Sequence, residues 1–438
     1  MSSPKIVLTP LQAGVPAEGG TLDVLVRVQA PERQADLPLP HLPKRLALVV
    51  DRSGSMSGQP LLEALRCVTH IASHLTERDS MSLVVYDDKV KVLLPLQPMK
   101  SLAAVKEAVS GLRSGGSTDL HGGWLAGAQQ LEGSDDQSIS RVILLSDGQA
   151  NHGLTDLPEI ETQCRQWLAR GISTTTVGLG RHFNEDLMIG MARAGGGQNY
   201  YGQTAEDLYD NFDEELSLLQ AMYLRQIGLK LVAAPGVVVE MLSLVLTRPD
   251  GRWGMTDLPW GAESWVAVRL HLSATNRGDI RDLLGASITG TTLDGQSIEC
   301  SAPLLQLPVM AAVDLATLPR DQVAHNRLEE LAFARASAEL RALAERGDLH
   351  ATEKALAALE VRFGEHPWLR AKIEQLRLLA DEDMMIMAKE SRYSMMRMSS
   401  RVVAKQEMSF IGDETESLEM PAFLRKKVSE GRGKRHEP

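Results

Sequence analysis

Two carboxyl and three hydroxyl side chains lie just after two apolar runs of the sequence and in a loop between two predicted helices, which carries the threonine. They are Asp51, Ser53, Ser55, Thr118 and Asp147. The first three follow the apolar run 46–50, and Asp147 comes shortly after the apolar run 142–145. All five side chains are hard oxygen ligands of the kind that suit Mg²⁺ or Mn²⁺. The sequence therefore predicts a divalent metal site, provided that the fold brings three separate segments together.

The elements that must position these residues can be predicted from the pattern of apolar residues. Short continuous apolar runs such as 46–50 are typical of strands covered on both faces. Between residues 45 and 222 they alternate with segments of helical spacing, including 60–75 and 158–169. This alternation predicts an α/β fold with a doubly wound, mostly parallel sheet. Ligand sites in such sheets lie at the carboxyl ends of the strands, where Asp51 falls.

The segment of alternating strands and helices resembles a von Willebrand factor A (vWA) domain with a complete metal-ion-dependent adhesion site. The resemblance rests on the five oxygen-bearing residues and their order in the chain. It implies that Ser53, Ser55 and, in the ligand-competent state, Thr118 contact the metal directly. It implies that Asp51 and Asp147 act largely through water, and that one coordination position stays open for an Asp or Glu of a partner protein.

Three further residues lie next to the predicted metal site in the sequence. Arg52, Trp124 and Asn151 are assigned to a partner-binding rim. Arginine and tryptophan are enriched at protein interfaces, which favours this assignment. For Trp124 the alternative is a helix residue that packs beneath the loops.

The segments on either side of the vWA-like region follow different patterns. Residues 1–44 and 223–317 carry strand and turn signals and are predicted to form one β-sandwich, into which residues 45–222 are inserted. This order of segments resembles, more weakly, the inter-alpha-trypsin inhibitor heavy chains. Residues 318–390 have helical spacing and predict a hairpin or bundle, and residues 391–438 are predicted to be a flexible tail. The tail contains a candidate linear motif made of Pro421, Phe423, Leu424 and Arg425.

Composition and charge argue against several classes of protein. The net charge is −11 and aromatic residues make up 4% of the 438 residues, which argues against a nucleic-acid partner. We see neither a signal peptide nor an apolar run of about 18 residues, so we expect no secretion and no membrane insertion. The three cysteines are widely spaced, which fits a reducing compartment. We therefore expect a cytoplasmic protein similar to intracellular bacterial vWA proteins.

Two hypotheses for the function follow from these observations. The first is a magnesium-dependent protein-binding module that scaffolds a regulatory or stress-related complex. The resemblance to bacterial vWA proteins suggests a regulatory kinase, phosphatase or ATPase as the partner. The alternative is a metal-dependent hydrolase or phosphatase in which Asp51 is the nucleophile. Because the sequence lacks the phosphate-loop, H-E-x-x-H and G-x-S-x-G motifs, we expect no enzymatic activity.

Overall fold

The computed structural model divides the chain into two compact units. One unit comprises residues 39–220 and 293–295, and the other combines residues 1–38, 221–292 and 296–438. In chain order, the first unit is therefore inserted into the second. The structure describes residues 3–32, 42–133, 138–179, 184–202, 205–248, 250–293, 295–382, 384, 387–388, 391 and 402–404.

The chain begins with strands that belong to the interrupted unit. They are β1 (Lys5–Pro10), β2 (Val15–Pro16) and β3 (Gly20–Gln29). β1 and β3 pair in antiparallel register, with Ile6 opposite Val28. Val24, Val26 and Val28, at alternate positions of β3, are fully buried. This explains the alternating pattern of the N-terminal sequence, because such strands bury one face more than the other.

The inserted unit is built on a six-stranded sheet. Its strands are β4 (Lys44–Asp51), β5 (Ser80–Tyr86), β6 (Val90–Pro98), β7 (Ile139–Ser146), β8 (Ile172–Leu179) and β9 (Gly196–Gly202). The strand order is β6-β5-β4-β7-β8-β9, and every pairing except that of β6 with β5 is parallel. β7 and β8 are buried along their whole length, and β4 along all but one residue. The predicted mostly parallel sheet is therefore confirmed.

Six helices accompany this sheet in the described part of the unit. They are α1 (Gln59–Ser73), α2 (Leu102–Val109), α3 (Leu120–Gln130), α4 (Leu157–Ala169), α5 (Glu185–Ala194) and α6 (Ala205–Gln220), and a 3₁₀ turn covers Gly54–Met56. The Asp119 carboxylate caps α3 by accepting a hydrogen bond from the Gly122 N–H at 2.9 Å. A Cβ atom at Gly123 would collide with the Tyr86 ring, and one at Gly127 would collide with Val49. These two glycines therefore let α3 pack closely on the sheet.

The chain then returns to the interrupted unit. Its further strands are β10 (Met222–Ala233), β11 (Val237–Met241), β12 (Trp253–Gly254), β13 (Leu258–Pro259), β14 (Ala262–Leu272), β15 (Ile280–Thr292), β16 (Ser297–Ser301), β17 (Leu305–Met310) and β18 (Val402–Ala404). Its helices are α7 (Ala312–Thr317), α8 (Gln322–Glu345), α9 (Leu349–Phe363) and α10 (Pro367–Glu382). One sheet has the order β1-β3-β14-β11 with β18 on β14, and the other has the order β12-β10-β15-β17-β2. β13 and β16 add to the second sheet beside β10 and β15.

The N-terminal strands pair with strands that follow the insertion, as the sequence predicts. β3 is antiparallel to β14, and β2 is parallel to β17. A buried charge fixes the first pairing: the Glu263 carboxylate is fully buried and accepts hydrogen bonds from Arg27 Nε at 2.9 Å and Gln29 Nε2 at 2.7 Å. Because an unpaired buried carboxylate is costly, a shift of β3 along β14 would be unfavourable.

The C-terminal helices predicted from the sequence are present. α8 packs on the sheet of β3 and β14, where Leu331 contacts a cluster that contains Leu25 and Trp265. α8 and α9 meet through Phe333 and Phe363, whose rings lie edge to face with centroids 5.4 Å apart. None of the described helices is long and apolar enough to cross a membrane.

Most of the predicted C-terminal tail lies outside the described residues. This holds for the candidate linear motif of Pro421, Phe423, Leu424 and Arg425. The described part includes β18, which pairs antiparallel with β14.

A buried ion pair joins the starts of two central strands of the inserted unit. Lys44 Nζ lies 3.2 Å from Asp79 Oδ1, and both side chains are buried. Burial alone would raise the pKa of Asp79, but hydrogen bonds from the Thr76 and Lys44 N–H groups and the charge of Lys44 hold this pKa below its usual value. The pair therefore anchors the amino ends of β4 and β5, opposite the edge where Asp51 lies.

We predict that Asp79→Asn lowers the free energy of opening of β4 and β5 by about 3–5 kcal/mol, because it leaves the Lys44 charge buried and unpaired. Native-state hydrogen exchange should be faster in residues 44–51 and 80–86 by roughly two to four orders of magnitude. The control is Glu132→Gln, which removes an exposed ion pair with Arg170 and should cost less than about 1 kcal/mol.

The same pair predicts a dependence on pH. Folding lowers the pKa of Asp79, so its ionised carboxylate stabilises the folded state. This contribution to the free energy of unfolding is complete above the pKa in the unfolded chain, about 3.9, and is lost as the pH falls below it. The stability difference between wild type and Asp79→Asn should therefore narrow below about pH 4. A difference that stays constant through this range would contradict the assignment.

Candidate metal centre

The ends of adjacent strands bring the predicted ligands to one edge of the sheet. β4 ends at Asp51 and β7 ends at Ser146, one residue before Asp147. The two strands are parallel neighbours with Val50 opposite Leu145, so both end at the same edge. The two predicted carboxylates are therefore presented side by side by the fold.

Asp51 is the buried centre of this edge. Its Oδ1 accepts a hydrogen bond from the Ser53 N–H at 2.8 Å, and its Oδ2 accepts bonds from Ser146 Oγ at 2.6 Å and Tyr86 Oη at 3.2 Å. Burial raises the pKa of Asp51 to about 6, with the hydrogen bonds from Ser146 and Ser53 opposing the rise and the Asp147 charge adding to it. A cation at this edge would stabilise the charged form of Asp51.

The serine hydroxyls lie on the turn that follows Asp51. Ser53 Oγ and Ser55 Oγ are 3.1 Å apart, with Ser53 fully buried and Ser55 exposed. Adjacent ligands of an octahedral Mg²⁺ with bonds of about 2.1 Å are separated by about 3.0 Å. The two hydroxyls share a hydrogen bond at this separation, and the same separation suits two adjacent ligands of one divalent ion.

Backbone hydrogen bonds tie the serine turn to the loop that carries Thr118. The Gly54 N–H donates to the Gly116 carbonyl at 3.1 Å, and the Gly115 N–H donates to the Arg52 carbonyl at 2.9 Å. Gly116 has φ of +78°, a conformation that residues other than glycine adopt only with strain. The distance between the two loops therefore depends on a glycine at position 116.

Thr118 is held from its other side by the loop after Asp147. Its N–H donates to Asn151 Oδ1 at 2.8 Å, and its carbonyl accepts bonds from the N–H groups of Asn151 and His152. Asp147 itself is nearly buried, and its carbonyl accepts a bond from the Asn184 N–H at 2.8 Å. Hydrogen bonds therefore join the three loops that carry the predicted ligands.

The residues assigned to the rim differ in their surroundings. Trp124 is fully buried, and its Nε1 donates to Thr174 Oγ1 at 3.0 Å. Its assignment to a partner-binding rim is therefore wrong, because α3 packs tightly on the sheet and turns this side chain inward. Asn151 is exposed while its side chain holds Thr118, and Arg52 is partly exposed.

Three residues of this edge were missed by sequence reasoning. Tyr86 and Ser146 bind Asp51, and Asp87 forms an ion pair with Arg52 at 2.7 Å between Nη2 and Oδ2. All three lie at or just after the carboxyl end of a buried strand. This position was the signal that could have identified them.

Comparisons with known proteins agree with this architecture. Residues 46–214 match the sequence profile of the von Willebrand factor type A domain. A solved structure described as von Willebrand factor type A from Catenulispora acidiphila has a TM-score of 0.65 and 19% identity, over 84% of this chain and 88% of that one. The ArnB paralog VWA2 from Sulfolobus acidocaldarius has a TM-score of 0.59 and 15% identity, over 90% and 98% of the two chains. These structures share the fold.

Curated relatives match a smaller part of the chain. The uncharacterized protein sll0103 of Synechocystis is 27% identical over 51% of this chain and 52% of its own length. The uncharacterized protein YfbK of Escherichia coli is 26% identical over 44% and 34% of the two lengths. Human inter-alpha-trypsin inhibitor heavy chain H3 is 26% identical over 41% and 21%. The chain thus spans about half of the first relative and less of the other two.

The geometry of the Thr118 loop generates a prediction. In Gly116→Ala, the new Cβ would collide with the Asp88 carboxylate and lie 3.1 Å from Asp87 Cβ, and the positive φ would add about 1–2 kcal/mol of strain. The collision and the strain would move the loop and displace Thr118. We expect this to weaken Mg²⁺ binding at least about tenfold, as measured by calorimetry. Gly115→Ala is the matched control, because a Cβ there meets nothing within 4 Å. Equal Mg²⁺ affinity in wild type and both variants would contradict a role for this loop.

Proposed function

We propose, from the premise that residues 46–214 form a von Willebrand factor type A domain, that the chain binds a partner protein through a magnesium ion. Domains of this type are commonly metal-dependent protein-interaction modules. The observation that carries the proposal is the pair of serine hydroxyls at 3.1 Å beside a buried, hydrogen-bonded aspartate. Mn²⁺ would suit the same oxygen ligands.

Each predicted ligand has a separate part in this proposal. Ser53, Ser55 and Thr118 would hold the ion directly through hydroxyl oxygens. Asp51 and Asp147 would act through water, which agrees with the protein donors that already bind both oxygens of Asp51. Bound there, the ion supplies an electrophilic centre that attracts carboxylates.

The charge of the direct ligands explains why a partner carboxylate is needed. Three hydroxyl groups are neutral, so they leave most of the charge of a divalent cation uncompensated. The Asp51 and Asp147 carboxylates offset part of it from a greater distance. An Asp or Glu of a partner protein would complete the shell and gain a charge-assisted contact in a partly buried edge.

The exposed surface around the serine turn is suited to such an approach. Gly54 and Ser55 are exposed on one side, and Asn151 and His152 are exposed on the other. Arg52 is held by Asp87, so its guanidinium group stays in place at this surface. A partner could therefore reach the ion without rearrangement of the loops.

The alternative function, a metal-dependent hydrolase or phosphatase, is less well supported. A nucleophilic Asp51 would need an accessible oxygen, but the side chain is fully buried and both oxygens accept hydrogen bonds. An aspartyl nucleophile for phosphoryl transfer would also need a lysine near the metal, and Lys44 lies at the other end of the strand that Asp51 ends. We therefore propose a binding module without catalytic activity.

The cellular setting is a wider part of the proposal. We place the module in a cytoplasmic regulatory or stress-related complex, with a kinase, phosphatase or ATPase as the class of partner. This placement depends on the resemblance of the sequence to intracellular bacterial vWA proteins and on the spacing of its cysteines.

Affinity capture tests the proposed function. The tag-free chain is immobilised and exposed to bacterial lysate in magnesium and in EDTA, and the retained proteins are identified by mass spectrometry. We expect a partner that is retained in magnesium and lost in EDTA and with Thr118→Ala. Retention with Ser57→Ala is the matched control, because Ser57 is exposed beside the turn and outside the ligand set.

The affinity of the captured partner is then measured by calorimetry. Loss of one side of a buried charge contact costs about 2–5 kcal/mol, so Thr118→Ala and Asp51→Ala should weaken binding at least about thirtyfold. Unaltered affinity in EDTA and in both variants would show that the partner binds elsewhere on the chain.

A further inference from the structure

A second group of metal-ligating side chains lies on helices α1 and α6 of the inserted unit. His70 lies in the last turn of α1, His74 is the residue that follows the end of this helix, and Asp213 comes from α6. Their ligand atoms all lie within 4.8 Å of one another. None of these residues belongs to the magnesium site, whose ligands lie on the loops at the carboxyl edge of the sheet.

The two distances from Asp213 to the histidines bracket the ligand separation of a tetrahedral metal site. His70 Nε2 lies 3.0 Å from Asp213 Oδ1, and His74 Nε2 lies 3.8 Å from the same oxygen. Zn²⁺ with bonds of about 2.0–2.1 Å holds its ligand atoms about 3.3 Å apart, between the two observed separations. Small rotations of partly exposed side chains would therefore bring the three ligand atoms onto one ion.

The hydrogen bonds indicate which ring nitrogen of each histidine carries a proton. His70 Nε2 lies 3.0 Å from Asp213 Oδ1, which only accepts, so this nitrogen donates and would release its proton on binding a metal. His74 Nδ1 lies 2.9 Å from the His70 carbonyl oxygen, which can only accept, so Nδ1 carries the proton. The Nε2 lone pair of His74 is then free to bind a metal, in the arrangement that outer hydrogen bonds usually impose on metal-bound histidines. His70 stacks on Tyr209 of α6, with ring centroids 4.1 Å apart and planes 11° from parallel.

Three residues on one face of α6 contact α1 at regular intervals. The Ala205 N–H donates to Glu63 Oε2 at 2.8 Å, Tyr209 stacks on His70, and Asp213 reaches both histidines. Positions 205, 209 and 213 are four residues apart and so lie on one side of the helix. An ion at Asp213 would add a coordinate bond to this row of contacts and hold α6 against α1.

We propose that His70, His74 and Asp213 form a zinc site that fixes α6 to α1. Imidazole nitrogens favour Zn²⁺ over Mg²⁺, so this site and the oxygen site at the sheet edge select different ions. Water would occupy the remaining position, because His74 and Asp213 are exposed.

Calorimetric titration of the tag-free full chain with ZnCl₂ tests the proposal. We expect His74→Ala and Asp213→Asn each to weaken zinc binding at least about tenfold, since even the loss of an outer hydrogen bond costs that much at metal sites. Two variants serve as controls and should bind zinc with wild-type affinity. Glu77→Gln removes an exposed carboxylate close to His74 in the sequence, and Cys300→Ser removes a thiol that could hold zinc elsewhere. Zinc binding that is equal in wild type, His74→Ala and Asp213→Asn would overturn the proposal.

Hydrogen exchange provides a second readout, specific to the joining of the helices. Zinc at 100 times its Kd should make the openings of residues 205–220 that break the site about a hundredfold rarer in wild type. Exchange in the same residues of His74→Ala should not respond to zinc. Asp51→Ala should keep this zinc response, which separates the proposal from the magnesium-dependent function. Exchange in 205–220 that zinc does not slow in wild type would overturn the joining role.

Discussion

A buried carboxylate at the end of the central strand imposes the main constraint on this structure. Asp51 is fully buried, and burial raises its pKa to about 6 because the charged form is poorly solvated there. Its hydrogen bonds come from elements that the sheet places beside it: Tyr86 from β5 and Ser146 from β7. The strand order β5-β4-β7 therefore provides the hydrogen-bond donors that the Asp51 carboxylate needs. A cation at this edge would stabilise the charged carboxylate further.

The loops around this carboxylate are joined by hydrogen bonds, so each ligand depends on more than its own segment. The serine turn is bonded to the loop containing Gly116, and Thr118 is bonded through Asn151 to the loop after Asp147. A change in one loop is therefore transmitted to the others. Sites assembled in this way hold their ligands in place before a metal or partner binds, which lowers the cost of ordering on binding.

Much of this arrangement could be predicted from the sequence. Continuous apolar runs indicate the buried parallel strands, and the position of Asp51 after such a run indicates the candidate site. Trp124 was assigned wrongly because tryptophan is common both at interfaces and in cores, and the sequence pattern does not separate these uses. Gly123 and Gly127 were the local sign that α3 packs closely. The roles of Tyr86, Asp87 and Ser146 depend on strand order and register, which a single sequence leaves open.

Diffraction from crystals of the protein grown with MnCl₂ tests the central claim most directly, because anomalous scattering locates manganese independently of the refined protein atoms. The account predicts an anomalous peak about 2.0–2.3 Å from the hydroxyl oxygens of Ser53, Ser55 and Thr118, with water or a neighbouring carboxylate in the remaining positions. Absence of a peak at this edge, with the loops ordered and manganese in excess, would contradict the account.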